Sequence, residues 1–181
     1  FDNSFAAGPS HLADRHPVIV DDLLFVASSF GVYGWNLKTG RPAWSTDTDS
    51  SAHLIYPPGP ADPPVRAARQ RSGHIVTSLV VAGGRLYARV GSPVTAQTAR
   101  EPRPLHHELV ALDISDGAGR VVLQVSPTVI PGNDSRGRWS FDGTPLVLND
   151  RLFVTTRRGH PQAELGIASL DADSGQLTWH R

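Results

Sequence analysis

The sequence contains no cysteine and no methionine, and a single lysine, Lys38, stands against sixteen arginines. Without cysteine there is no disulfide, no thiolate metal site and no cysteine nucleophile, although the compartment stays open because secreted chains also do without the residue. The chain begins at Phe1 rather than at an initiator, and the expectation is a processed or internal segment with any signal peptide upstream. An excess of either charge is missing too, since Lys plus Arg and Asp plus Glu number 17 each. No net field therefore attracts nucleic acid or an anionic membrane, and no basic stripe alternates with aromatics. No run reaches the ~18 apolar residues of a membrane-spanning helix. A Gly-x-Ser-x-Gly elbow is also absent, so nothing orders the serines, histidines and aspartates into a triad, and no catalytic residue is assigned.

What is present is a repeat. Pro145-Leu146-Val147-Leu148, Asn149-Asp150 and Arg151-Leu152-Phe153-Val154 give two short β-prone runs separated by two residues that tolerate positive φ, which is a hairpin signal. Pro17-Val18-Ile19-Val20, Asp21-Asp22 and Leu23-Leu24-Phe25-Val26 repeat it, and so do Val80-Val81-Ala82, Gly83-Gly84 and Arg85-Leu86-Tyr87-Ala88, aligning Phe25, Tyr87 and Phe153. A helix would need apolar residues three and four apart with no turn pair inside the run. The second half of each unit also repeats, as Trp35-Asn36-Leu37-Lys38-Thr39-Gly40 to Trp44, Leu112-Asp113 to Gly117, and Leu170-Asp171 through Gly175 to Trp179; the middle copy has no Trp. Asn36, Asp113 and Asp171 are expected to bond backbone amides of the turn, with Gly40, Gly117 and Gly175 supplying the left-handed residue that closes it. The Trp is expected to cap the packing of one sheet on its neighbour, where it would bury roughly 200 Å².

These segments resemble the A-L-D-x-x-T-G-x-x-x-W repeat of pyrroloquinoline-quinone-like β-propellers, a family that includes quinoprotein alcohol dehydrogenases and the propeller scaffold lipoproteins of outer-membrane protein assembly. The resemblance covers most of the chain outside its loops. It implies an all-β fold of about three blades, each a four-stranded antiparallel sheet, belonging to a larger propeller of seven or eight blades. It also implies a periplasmic or extracellular location in the cell envelope.

The units fall at about 16–45, 73–124 and 139–179 within one partial propeller spanning 1–181, with long loops at 46–72, 92–107 and 126–138. The first loop holds Pro57-Pro58-Gly59-Pro60 and Pro63-Pro64, a composition that sustains neither helix nor central strand. Phe25 and Tyr87 stand 62 residues apart, and Tyr87 and Phe153 66. Both spacings exceed the ~40–50 of compact propeller repeats, and the loops account for the excess. Because closure takes about four to eight blades, three leave an open arc with an apolar face at each end. The expected partners are the remaining blades of the same protein, or another copy or subunit. Insertions at 92–107 and 157–164 occupy equivalent places, so they share one face, and in repeat proteins such a face is often the binding face.

Candidate chemistry is sparse. His106, His107 and His160 lie in the equivalent insertions and are the only metal candidates, yet adjacent histidines in a strand point to opposite faces and no carboxylate has ligand spacing. Surface histidines are the plainer reading. Asp171 to Gly175 begins like a calcium loop, but the same turn at Asn36 to Gly40 lacks the acidic pattern, so a turn is the reading. Trp139 and Phe141 beside Asp142-Gly143 are either an aromatic platform or packing at the start of the third unit, and packing is preferred. The expected function is a non-catalytic scaffold or a protein- or ligand-binding surface without a cofactor. The alternative implied by the resemblance is part of a dehydrogenase holding pyrroloquinoline quinone with calcium.

Overall fold

The computed structural model describes residues 16–27, 31–43, 52–54, 79–91, 107–115, 119–132, 138–158 and 164–181. Positive φ marks the turns read from the sequence: Asp21 at 51°, Gly83 and Gly84 at 56° and 73°, and Asn149 and Asp150 at 48° and 58°. Two consecutive left-handed residues match the twist of the flanking strands, so the last two pairs close tight hairpins.

Each hairpin opens a four-stranded antiparallel sheet whose strands pair in chain order. Sheet I consists of β1 (Val18–Val20), β2 (Leu23–Ala27), β3 (Gly31–Asn36) and β4 (Ala52–Leu54). Sheet II consists of β5 (Leu79–Ala82), β6 (Arg85–Gly91), β7 (His107–Asp113) and β8 (Arg120–Val125). Sheet III consists of β9 (Trp139–Leu148), β10 (Arg151–Arg158), β11 (Glu164–Asp171) and β12 (Leu177–His180).

Two segments depart from the expected unit boundaries. The first sheet does not stop near residue 45, because β4 lies inside the stretch expected to be a pure loop and pairs with Gly31 to Tyr33. The reason is an open edge: Pro42 bridges only Trp35, and Ala43 N–H donates to Gly34 O at 2.9 Å, so the first half of β3 would otherwise leave its ladder groups unpaired. The 126–138 loop is not empty either. It carries a 3-10 turn at Pro127–Val129, with Ser126 Oγ accepting from Thr128 N–H, and delivers Ile130 to the core.

Period-two alternation gives each sheet two unlike faces. The forward face carries the aligned aromatics Phe25, Tyr87 and Phe153; the rear face carries their strand neighbours, such as Leu86 and Leu152. Sheet II lays its rear face (Leu86, Ala88, Val90, Val110, Leu112) on the forward face of sheet I (Phe25, Ala27, Val32). Sheet III lays its rear face (Leu152, Val154, Ala168, Leu170) on the forward face of sheet II (Tyr87, Leu109, Ala111, Leu123, Val125). Phe141 and Ile130 complete this second seam.

The rear face of sheet I and the forward face of sheet III have no sheet packed on them among the described residues. The first presents Ile19, 61% exposed, beside the stacked rings of Tyr33 and Trp35, 6.1 Å apart. The second presents Leu146, Leu148, Leu165, Ile167 and Trp179. Among the described residues no sheet packs over Trp179: it is 40% exposed and its ring meets Phe153 of its own sheet at 6.1 Å. Its cross-strand partner is Ser169, which in turn opposes Phe153, so the register itself assigns Trp179 to the free forward face. Trp44 and Gly117 lie outside the described residues.

Candidate functional site

The best-defined polar constructions are the three repeat turns. Asp171 Oδ1 accepts from Ser174 N–H and Ser174 Oγ at 2.8 Å each and from Asp173 N–H at 3.2 Å. Asn36 Oδ1 makes the same set, from Lys38 N–H and Thr39 N–H at 3.0 Å and Thr39 Oγ1 at 3.1 Å. Asp113 Oδ1 accepts from Ser115 N–H and Oγ at 2.9 and 2.6 Å. Carboxylate and amide oxygens thus serve one purpose, satisfying the amides of a tight corner. Leu112 and Leu170, just before these corners, are fully buried.

The charge on two of the corners has a thermodynamic consequence. The Ser174 amide and then its hydroxyl hold the Asp171 carboxyl below the usual carboxylate range, and the Ser115 hydroxyl and then its amide do the same for Asp113. A carboxyl whose pKa is depressed by folding contributes stability above its unfolded-state pKa, and that contribution is lost as pH falls through the lower, folded value. Asp171→Asn retains the acceptor, as Asn36 shows, and removes the titration. The melting temperature of the variant is therefore expected to fall less than that of the parent between about pH 5 and about pH 3; parallel thermal profiles would contradict this.

Gly40 and Gly175 both adopt positive φ, 66° and 71°. Gly40 faces open space, whereas a Cβ on Gly175 would collide with Val125 Cγ2 and lie 3.0 Å from Leu123 Cδ1 of sheet II. The sheet III corner is thus part of the seam, held also by Arg85 Nη1, which donates to Asp173 Oδ1 at 2.5 Å and Ala172 O at 3.3 Å. Gly83, Arg85, Asn149, Asp150 and Asp173 line a cleft at this end of the seam.

The opposite end carries the insertions. Gly91 pairs with His107 and Arg158 with Glu164, so the connections 92–106 and 159–163 leave from the same end of adjacent sheets. His107 is the first residue of β7, while His106 and His160 lie outside the described residues. Among the described residues, no three His, Cys, Asp or Glu side chains gather to hold a metal.

Trp139 and Phe141, adjacent in the candidate platform, have separate surroundings. Phe141 is fully buried in the seam. Trp139 is half-buried, with the Arg158 guanidinium 4.9 Å over its ring and the His180 imidazole edge-on at 4.6 Å. Arg158 also donates to Gly132 O at 2.9 Å and pairs with Glu164 at 2.5 Å. His180 Nε2 and Thr156 Oγ1 are 2.9 Å apart, and burial followed by the Arg158 charge pushes the imidazole below its ordinary pKa. Arg89 and Arg158, both buried, were not singled out by sequence. The available signal was strand parity: Arg89 is two residues from Tyr87 and Arg158 four from Val154, so each shares a face with core residues.

No protein-family model matches the chain, and no curated protein matches it in sequence. Solved structures do resemble it. The quinohemoprotein alcohol dehydrogenase of Comamonas testosteroni aligns with a TM-score of 0.56 at 17% identity, over 93% of this chain and 20% of its own. The europium-containing methanol dehydrogenase gives 0.54 at 16%, over 91% and 23%. The quinohemoprotein alcohol dehydrogenase ADHIIG of Pseudomonas putida gives 0.53 at 18%, over 92% and 20%. The chain has the pyrroloquinoline-quinone-like β-propeller fold and spans about a fifth of the length of the structures it resembles.

Proposed function

We propose that the chain is a non-catalytic segment of a larger propeller in the periplasm or outside the cell, a scaffold that presents its insertion-bearing end as a protein- or ligand-binding surface. The observation that carries this reading is the mismatch between used and unused faces. Both seams join a forward face to a rear face, and among the described residues one face of each kind has no sheet on it and carries exposed apolar residues. Further blades of the same protein fit both, because each would use a surface of the kind already packed twice. The strand ends from which the connections 92–106 and 159–163 leave then belong to a closed platform, and connections on such scaffolds often carry recognition. No helix among the described residues is long and apolar enough to cross a membrane.

Ile167→Asp in the complete protein tests the platform. Ile167 is 47% exposed in this chain. At a solvated surface the change would move stability by no more than about 0.5 kcal/mol, whereas under a covering blade it strands a charge and costs about 2 kcal/mol or more. Urea unfolding distinguishes the two, and a neutral result would contradict the covered face. The likeness to dehydrogenase structures makes a quinone-dependent enzyme the competing reading. Dye-linked alcohol oxidation by the complete protein after loading with pyrroloquinoline quinone and calcium is expected to stay at background; turnover would replace the scaffold reading.

A further inference from the structure

Among the described residues, Arg89 is a buried charged side chain that the packing of the sheets does not explain. It lies on the forward face of sheet II, near the insertion-bearing end of the seam with sheet III, and is only 4% exposed. Its strand neighbour Tyr87 and its cross-strand partner Leu109 are both core residues. The guanidinium Nη1 is buried without a hydrogen-bond partner. Asp142 is the opposing charge that acts on it, from beyond ion-pair distance, and burial outweighs that charge in lowering the arginine pKa.

The repeat does not demand this residue. The equivalent position in sheet I is Ala27, equally buried in the other seam, and in sheet III it is Thr155. A small side chain therefore satisfies the architecture. Arginine cannot escape burial by losing its proton, and an uncompensated buried charge costs several kcal/mol. A guanidinium is chemically suited to a planar or tetrahedral oxyanion, and here its Nη1 is left without an acceptor.

We propose that Arg89 anchors a small-oxyanion site, for a carboxylate or phosphate group, at the insertion-bearing end of the seam between sheets II and III. The anion supplies the charge and the hydrogen bonds that the protein leaves unmade, and Asp142 limits its affinity by repulsion. The site belongs to the seam itself and stands whether or not the scaffold reading does.

The test uses the complete protein and its melting temperature in sodium phosphate, sodium acetate and sodium chloride at matched ionic strength. Phosphate, acetate or both are expected to raise the parent's melting temperature by a few degrees over chloride, the size of shift saturating occupancy produces. The anion that acts defines the class. Arg89→Met is expected to abolish the shift, Arg89→Lys to reduce it by removing the parallel pair of donors, and Asp142→Asn to move the half-effect to several-fold lower anion concentration. Should Arg89→Met fail to fold, the Lys and Asn variants with isothermal titration of the parent carry the test. Equal shifts in the parent and the Arg89 variants would locate the anion elsewhere, and no shift in any anion would make Arg89 a packing residue only; either result overturns the proposal.

Discussion

Gly175→Val is expected to destabilise the complete protein by about 2–5 kcal/mol, while Gly40→Val costs about 1–2 kcal/mol. Both substitutions force a β-branched side chain into left-handed backbone, which costs about 1–2 kcal/mol. Only at Gly175 does the new Cβ also drive into Val125 and Leu123, where overpacking adds about 1–3 kcal/mol. Urea midpoints of the two variants measure the difference directly. Equal losses would mean that the corner of sheet III does not press on sheet II.

Phe141→Ala is expected to cost about 3–5 kcal/mol, the usual loss when a fully buried aromatic ring is removed and the hole does not collapse. Trp139→Ala should cost less, since the half-buried ring forfeits only part of its area and its contacts with Arg158 and His180. Thermal or urea unfolding of the two single variants checks the order. If Phe141 were a platform for a ligand ring, its loss would leave unfolding unchanged and alter binding alone.

The sheets were legible because their signals are local. Asp21, Gly83-Gly84 and Asn149-Asp150 sit between β-prone runs, and the chain turns at each. The correspondence of Phe25, Tyr87 and Phe153 was visible in spacing, and all three lie on the forward face. Their different burial was not visible, because it depends on whether a sheet follows: Phe25 and Tyr87 are covered and Phe153 is half-buried. The same reason leaves Trp179 exposed among the described residues, on the face where a following sheet would be needed for it to cap a seam. β4 escaped because Ala52-His53-Leu54 carries no pattern of its own and pairs only because β3 leaves an edge open. At the candidate site, the turn residues were legible as hydrogen-bonding corners. The buried arginines were not, since composition reads arginine as surface and only the parity of the strand places Arg89 and Arg158 inward. The irregular pairing of β9 with β10 between Phe153 and Thr155, which separates Asp142 from the hairpin register, has no sequence signal beyond Gly143 at φ 69°.

The two apolar clusters have no residue in common, because sheet II contributes Leu86, Ala88 and Val90 to one and Tyr87, Leu109 and Leu123 to the other. Sheet II therefore acts as a partition. Lesions on its opposite sides that also lie far apart along the strands share no cavity or partner, so their free-energy losses sum. Because those losses reduce one folding free energy, a substitution in one seam narrows the margin left to the other, while the side chains that fit each junction are set within that junction.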